Sequence, residues 1–542
     1  MTKSKQPVDP ARRRSVSSLS VRLVLIVFFA VTVFLPMIAM FSQIEWGQIG
    51  GIVSTPKFGR AVRNSLGVTL CATLLAVVIA YLLAYAVNRS HIPGKGALAV
   101  LATLPMLIPS ISHGLGLINL FGENGLVTRA LGMESRLMGF PGVLLGSILY
   151  SFPVAFLMLS DAMKYADATT YEAAEVLGLP PINRFIAVTL PLMKRPIISA
   201  VFAVFTMVFT DYGVPLAVGG RFDTLPVYLY QEVIGLQNFS SGAFIGMILL
   251  IPAVITFLID LRKKDAEALG FSAKPLTVSR KPARDILLGI FSVLTIGFVL
   301  LVLGSFAVMT FIAKYPYDLS FSLKHLEMVM DRGMPRFFGN SLLISLFVAF
   351  IGTVVGYVTA YMTARGGRSA IGKILHLTSI ASLAIPGIVL GLGYVICFKK
   401  SFLYGTVAIL IFVNIIHFFA SPYMMAHNAM KKLNPNFEDV GKTLRVGRFR
   451  LLRDVFVPNT LDTIAEMFGY FFVNSMITIS AVAFLWNSRT MPLSIMINQL
   501  ENDMMMEAAA FVSLVILLSN IAMKLLIGGI KKLCRRRGVG TR

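Results

Sequence analysis

Charge is scarce in this 542-residue chain: Asp, Glu, Lys and Arg make up 14% of it, against about a quarter in soluble domains. Tryptophan occurs twice and cysteine three times, at Cys71, Cys397 and Cys534. Three distant cysteines without CxxC spacing support neither a disulfide framework nor a cysteine-built metal site. The six histidines show no HExxH or other paired spacing, so no metallohydrolase pattern is present. The nearest approach to a phosphate-binding loop runs from Gly367 to Lys373. It has Ile374 where Ser or Thr would hold magnesium, and it follows an apolar run rather than a parallel strand. No catalysis by this chain, no cofactor and no resident metal is expected.

What the chain has in abundance is apolar sequence, 56% of residues with a mean hydropathy of +0.77. One helical crossing of a bilayer takes about 20 apolar residues, and apolar runs bounded by charge or Pro/Gly clusters predict twelve crossings. Six lie near Val21 to Phe41, Asn64 to Val87, Ala97 to Phe121, Phe140 to Ala162, Ile197 to Val218 and Gly242 to Leu261. Six more lie near Ile286 to Ile312, Asn340 to Ala364, Ile371 to Phe398, Leu403 to Ala426, Thr460 to Leu485 and Ala508 to Ile530. Pro36, Pro109 and Pro386 fall inside runs, which neighbouring helices tolerate by satisfying freed backbone groups. The fold class expected is an all-α integral membrane protein.

The net charge of +23 would suggest nucleic-acid binding in a soluble protein. In a membrane protein it is first an orientation signal. Lys and Arg concentrate before the first crossing, between Arg262 and Arg284, over residues 431–453 and in the last twelve residues. Both termini are therefore expected on the cytoplasmic side of the membrane, with no nucleic-acid partner. The first apolar run is too long for a signal-peptide core and reads as a retained crossing. Lys531, Lys532, Arg535, Arg536 and Arg537 read as a stop-transfer flank facing lipid headgroups.

The chain is duplicated. Asn64-Ser65-Leu66 recurs as Asn340-Ser341-Leu342, an offset of 276 residues that holds through Tyr81, Ala84, Tyr85 and Arg89 against Tyr357, Ala360, Tyr361 and Arg365. Pro109 answers to Pro386 at an offset one longer, while Asp161-Ala162-Met163-Lys164 answers to Asn428-Ala429-Met430-Lys431 and Pro191 to Pro458 at an offset of 267. An even number of crossings returns each repeat to its starting side. The two six-helix halves should therefore insert in the same sense, related by a pseudo-two-fold axis along the membrane normal. The expected division is a tail over 1–20, a first repeat over 21–262, a linker over 263–284, a second repeat over 285–530 and a basic tail over 531–542.

Between the fourth and fifth crossings each repeat carries a long inner loop, residues 164–195 and 428–458. In the first, Glu172-Ala173-Ala174 opens a short helix that Gly178 is suited to end, and Pro180 and Pro181 block its continuation. A second short helix is expected to run from Pro181 and stop at Pro191. Val176, Leu177, Phe185 and Ile186 are its expected apolar contacts, and Glu172 and Arg184 its polar ones. An amphipathic element lying on the inner leaflet is the plain alternative.

Glu-Ala-Ala, three residues, Gly and a later Leu190-Pro191 resemble the EAA loop in the membrane subunits of ATP-binding cassette (ABC) importers. The resemblance covers nearly the whole chain as two fused permease units of the type I fold, most like those for ferric iron, 2-aminoethylphosphonate and thiamine. Thr210 to Pro215 is similar to a segment of the iron and polyamine branches. The resemblance implies a transport subunit acting by alternating access, with a periplasmic or lipid-anchored substrate-binding protein and a separate ATPase pair, a homodimer, seated on the loops. Ferric iron and 2-aminoethylphosphonate are the favoured substrates.

The second loop departs from the pattern. Asp439-Val440-Gly441 stands at the Glu-Ala-Ala positions and Arg445 at that of the glycine. Arginine adopts positive φ with difficulty, so the break is expected to move to Gly447, and the two loops are expected to couple unequally. Ionisable residues inside apolar runs mark candidate pathway positions: Asp211 with Tyr212, Glu466, Lys524, and more weakly His417 and His113. Each has a plain reading as an interhelical hydrogen-bond partner. An ion-coupled secondary transporter would use Asp211 or Glu466 as a proton relay but leaves the Glu172 to Gly178 loop without a purpose; a non-transporting scaffold or sensor is the other rival.

Overall fold

A computed structural model describes residues 10–164, 168–262, 278, 280–366 and 369–536; most of the expected linker and the extreme tails lie outside them. The described residues are almost entirely helical, with one antiparallel hairpin pairing Ile312–Lys314 with Asp318–Phe321. Eight helices are long and apolar enough to cross a membrane, and three bent helix pairs supply three more. The 17-residue helix Leu461–Ile477 stands where the eleventh crossing is expected.

Three crossings differ from expectation in physically informative ways. The third breaks between Lys95–Leu107 and Ser110–Ala130 at 103°, and the ninth between Ala370–Ala384 and Gly387–Phe398 at 108°. Both breaks fall where Ile108 and Ile385 precede a proline and are extended, because proline disfavours the helical region for its predecessor. The fifth crossing was expected over Ile197 to Val218. Its helix instead runs Phe185–Phe209, stops through Thr210 to Tyr212, and resumes as the short helix Gly213–Val218.

Contacts divide the chain into two compact units that do not coincide with the sequence repeats. One comprises Ile44–Pro335 and Leu493–Leu517. Its centre is the second crossing, Pro56–Arg89, laid along the fourth, Phe140–Lys164. Ala61, Ser65, Val68, Ala72, Ala76 and Ala80 form a buried stripe at helical spacing. Small side chains there let two helix backbones approach without a hydrophobic driving force. The broken pieces interlock in the same way: a Cβ on Gly213 would sit 2.2 Å from Ser110 Oγ, and one on Gly146 2.5 Å from Val214.

The other unit comprises Met1–Gln43, Arg336–Pro492 and Leu518–Arg542, so the first crossing packs with the second repeat. That crossing contains a π-helical turn, Ala30–Phe34, just before Pro36. Proline has no N–H for the carbonyl four residues back, which is that of Thr32. The buried Tyr394 hydroxyl donates to this carbonyl at 2.8 Å, and Gly393 beside it allows the approach: a Cβ there would lie 2.9 Å from the Pro36 carbonyl oxygen. At the other end Arg22 donates to the carbonyls of Met362 and Gly366 and to Ser369 Oγ. It thereby satisfies carbonyls that the eighth crossing, Met334–Ala364, leaves open at its C-terminus.

Gly393→Val should therefore overpack this contact and lower stability by about 1–3 kcal/mol. Tyr394→Phe should cost about 1 kcal/mol through the lost hydrogen bond. Thermal unfolding of the purified protein checks both, with Gly297→Ala, which meets nothing within 4 Å, as a control expected to leave the midpoint unchanged or slightly raised.

Candidate functional site

The first loop forms the helix Ala168–Val176. Its end is closed by two backbone hydrogen bonds, Gly178 N–H to the Glu175 carbonyl (2.9 Å) and Leu179 N–H to the Ala174 carbonyl (3.1 Å), with Gly178 at φ 67°. This is the Schellman ending. The second loop forms Phe437–Thr443 and closes identically: Arg445 N–H reaches the Lys442 carbonyl (3.1 Å) and Val446 N–H the Gly441 carbonyl (2.8 Å). Arg445 itself takes φ 54° while Gly447 stays extended at φ −69°. The break therefore does not move to Gly447. The left-handed conformation costs a non-glycine residue about 1–2 kcal/mol, which the two closing bonds and the packing of Gly441 against Leu451 offset.

The second arm of each loop also corrects the expectation. Pro181–Arg184 does not end at Pro191; it passes through a π-helical turn, Phe185–Thr189, directly into Leu190–Phe209. The second repeat copies this with Arg448–Leu451, the π turn Leu452–Phe456 and Val457–Asn459, which holds Pro458. A widened turn relieves the clash between a proline ring and the carbonyl of the preceding turn. The first loop is thus continuous with the helix that follows it, whereas in the second repeat Thr460, at φ −125° and ψ 18°, interrupts the chain before Leu461–Ile477.

Each loop is tied to the end of its second crossing by an arginine, differently in the two repeats. Arg365 grips Glu438 through two bonds of 2.6 Å, donates to the carbonyls of Leu433 (3.1 Å) and Asn434 (2.8 Å), and lies over the Phe456 ring at 5.1 Å. Its side chain is only 7% exposed. The equivalent Arg89 has Tyr171 where Glu438 stands, stacks over that ring at 5.2 Å and donates to the Met163 carbonyl at 3.3 Å. Conservation of both arginines between the repeats was the signal for this role, and neither appears among the expected site residues.

The expected apolar contacts of the first loop face outward instead. Val176 and Leu177 are 88% and 77% exposed, and in the second loop Leu444 and Phe449 are 69% and 78% exposed. Leu177 and Leu444 occupy equivalent positions. Arg184 pairs with Glu175 at 3.5 Å, while Glu172, Ala173 and Asp439 are exposed and Lys442 bridges Asp439 at 2.7 Å.

The remaining candidates are dispersed. Asp211 is buried at the break of the fifth crossing, where its carboxylate accepts from Gly213 N–H (3.3 Å), Val214 N–H (3.0 Å) and the Ser110 hydroxyl. Tyr212 is buried against Tyr230, ring centroids 4.8 Å apart. Glu501, absent from the expected site residues, lies within electrostatic range of Tyr212. Its Oε2 is buried with no hydrogen-bond partner among the described residues, and burial pushes its carboxyl up to about 7. In the other unit His417 ends Val407–His417 and crowds Gly387. His113 Nδ1 lies 3.3 Å from the Ser110 carbonyl. Glu466 forms an ion pair with Lys531, and Lys524 is exposed on the last helix. Among the described residues no three His, Cys, Asp or Glu side chains are grouped to hold a metal.

Residues 73–262 and 352–533 each match the family described as binding-protein-dependent transport system inner membrane component. The chain belongs to that family. It is an inner-membrane ABC importer permease, a transport subunit rather than an enzyme, and its family implies ATPase and substrate-binding partners. This permease is similar to a putative ferric transport system permease protein of Haemophilus influenzae, 24% identical over 501 residues covering 86% of this chain and 77% of the relative. A ferric transport system permease protein of Actinobacillus pleuropneumoniae is 23% identical over 527 residues, 91% and 75% of the two chains. A molybdenum transport system permease protein of Mycobacterium tuberculosis, 25% identical, aligns over 88% of its own length but 42% of this permease, as expected of a relative one repeat long.

Breaking a fully buried ion pair costs about 3–5 kcal/mol, an upper bound for the part-buried Arg365–Glu438 pair. Arg365→Gln or Glu438→Gln should therefore release the second loop and abolish substrate-stimulated ATP hydrolysis in the assembled complex. Arg89→Gln, which loses a cation–π contact of about 0.5–2 kcal/mol, should reduce it only partly. Measuring stimulated over basal ATPase rate in each variant checks the ranking.

Proposed function

We propose that this permease moves ferric iron, delivered by an extracytoplasmic binding protein, into the cytoplasm. The observation that carries this is that relatives described as ferric transport permeases align with 86–91% of the chain. The oxygen donors gathered around the break of the fifth crossing, Asp211, Tyr212, Tyr230 and Glu501, suit a hard cation, and Asp211, Tyr212 and His417 are the proposed path-lining residues. Glu466 serves as the partner of Lys531 rather than as a relay.

Both loops and both termini lie on the cytoplasmic side, where a homodimeric ATPase seats on the exposed leucines. Movement of the first loop passes to the fifth crossing through the continuous π-turn helix, that of the second to the eleventh across the turn at Thr460, and both pass to the second or eighth through Arg89 or Arg365. Coupling is unequal because one loop is held by a part-buried bidentate ion pair and the other by an aromatic face. The test is uptake of radiolabelled ferric iron into proteoliposomes containing permease, ATPase and binding protein. Accumulation should require both ATP and the binding protein. Accumulation driven by a proton gradient without the ATPase, or ATP-driven uptake of 2-aminoethylphosphonate in place of iron, would overturn the proposal.

A further inference from the structure

A compact group of nitrogen and oxygen donors sits in the unit containing the second repeat, where the helix Ala420–Lys431 leads into the second loop. Tyr423 Oη lies 2.5 Å from His376 Nδ1, 2.8 Å from Thr363 Oγ1 and 3.5 Å from His427 Nδ1. Thr363 Oγ1 lies 3.1 Å from the same His427 nitrogen. The two imidazoles stack with centroids 4.7 Å apart. Three helices contribute: Thr363 ends the eighth crossing, His376 lies in Ala370–Ala381, and Tyr423 and His427 are one turn apart on Ala420–Lys431.

The fold does not require this group. By the repeat correspondence Val87 stands at the place of Thr363, Ala99 at that of His376, Phe156 at that of Tyr423 and Ser160 at that of His427. The first repeat packs the same junction with three apolar residues and one serine, and Phe156 is fully buried there. Two of the chain's six histidines and a tyrosine have been added in one repeat only, at positions where apolar side chains suffice.

Their spacing carries a chemical meaning. Ligand atoms about 2.0–2.1 Å from one metal ion lie about 2.8–3.4 Å from each other in octahedral or tetrahedral arrangement. Two of the four separations here, 2.8 and 3.1 Å, fall within that range, and the other two, 2.5 and 3.5 Å, lie just outside it. Metal-free, the same atoms hydrogen-bond to one another and the group is satisfied. Tyr423 and His427 are buried while His376 and Thr363 are half-exposed, which leaves a side for an ion to enter.

We propose that His376, Tyr423 and His427, with Thr363 as a weak fourth donor, bind a first-row transition-metal ion. Imidazole nitrogen suits zinc, copper and iron, and Tyr423 releases its proton to become a phenolate ligand as the ion binds. The site lies wholly within one unit, and its existence does not depend on what the permease transports.

The test uses the purified full-length permease in nanodiscs, titrated separately with Zn(II), with Fe(III) as its nitrilotriacetate complex, and with Mg(II). One equivalent of Zn(II) or Fe(III) should bind and Mg(II) should not; Fe(III) should give the visible phenolate-to-iron charge-transfer band. Tyr423→Phe, which places at this position the residue type the first repeat already uses, should remove the band. His376→Ala and His427→Gln should each weaken binding by more than the roughly 10- to 100-fold that losing a hydrogen-bond partner of a metal ligand costs. Wild-type permease that binds neither ion, or binds Fe(III) without the band, would overturn the proposal whatever the variants do. Unchanged binding in the His376→Ala/His427→Gln double variant would overturn it as well.

Discussion

A peptide carbonyl released inside hydrocarbon finds no water to bond, and this permease interrupts its membrane helices repeatedly. Proline removes a donor at Pro36, and the third and ninth crossings turn through more than 100°. Side chains answer these interruptions, Tyr394 and Arg22 from far along the sequence and Asp211 from two and three residues away. Tyr394 serves the Thr32 carbonyl, Arg22 the last carbonyls of the eighth crossing, and Asp211 the amides that open Gly213–Val218. Glycine and serine then let the broken pieces cross closely: Gly213 meets Ser110, and in the other repeat Gly387 meets Ser480. The same contact is built twice with the two residue types exchanged.

Broken helices supply short rigid pieces, and the loops are the proposed lever. A lever is useful only if it is stiff where it is pushed and tied where it pulls. The Schellman endings provide stiffness in both repeats, and π-turn continuity adds to it in the first. The ties differ: Arg365 uses its full fork on Glu438 and two carbonyls, whereas Arg89 rests on a ring. Arg445 adds local backbone strain that Gly178 does not have. Duplication has kept the geometry of the two loops nearly identical while their chemistry has diverged.

Much of the architecture was legible in the sequence because its signals are local or periodic. Hydropathy placed the crossings, ordered matches exposed the duplication, and Glu172, Gly178 and the following prolines located the loop. Directions and distant pairings were not legible. A proline marks a weak point, but nothing at Pro109 says the chain will turn by 103°, since that depends on what packs beside it. The π turns before Pro191 and Pro458 leave the residue pattern of an ordinary helix. Arg445 looked unable to hold positive φ because single-residue preference was weighed without the two bonds that impose it. Arg365 finds Glu438 73 residues away, and Glu501 sits in a short helix before the last crossing with no motif around it. The exchange of first crossings between packing units is likewise set by tertiary contact alone.

The central claim is that an ATPase drives this permease through the exposed leucines of both loops. Single cysteines at Leu177 and at Leu444, in a background lacking the native cysteines, test it most directly by disulfide cross-linking to cysteines in the groove of the partner ATPase. The account predicts a cross-link from each position that halts ATP-driven transport and is reversed by reductant. Absence of cross-linking at both positions in a complex that still transports would contradict it.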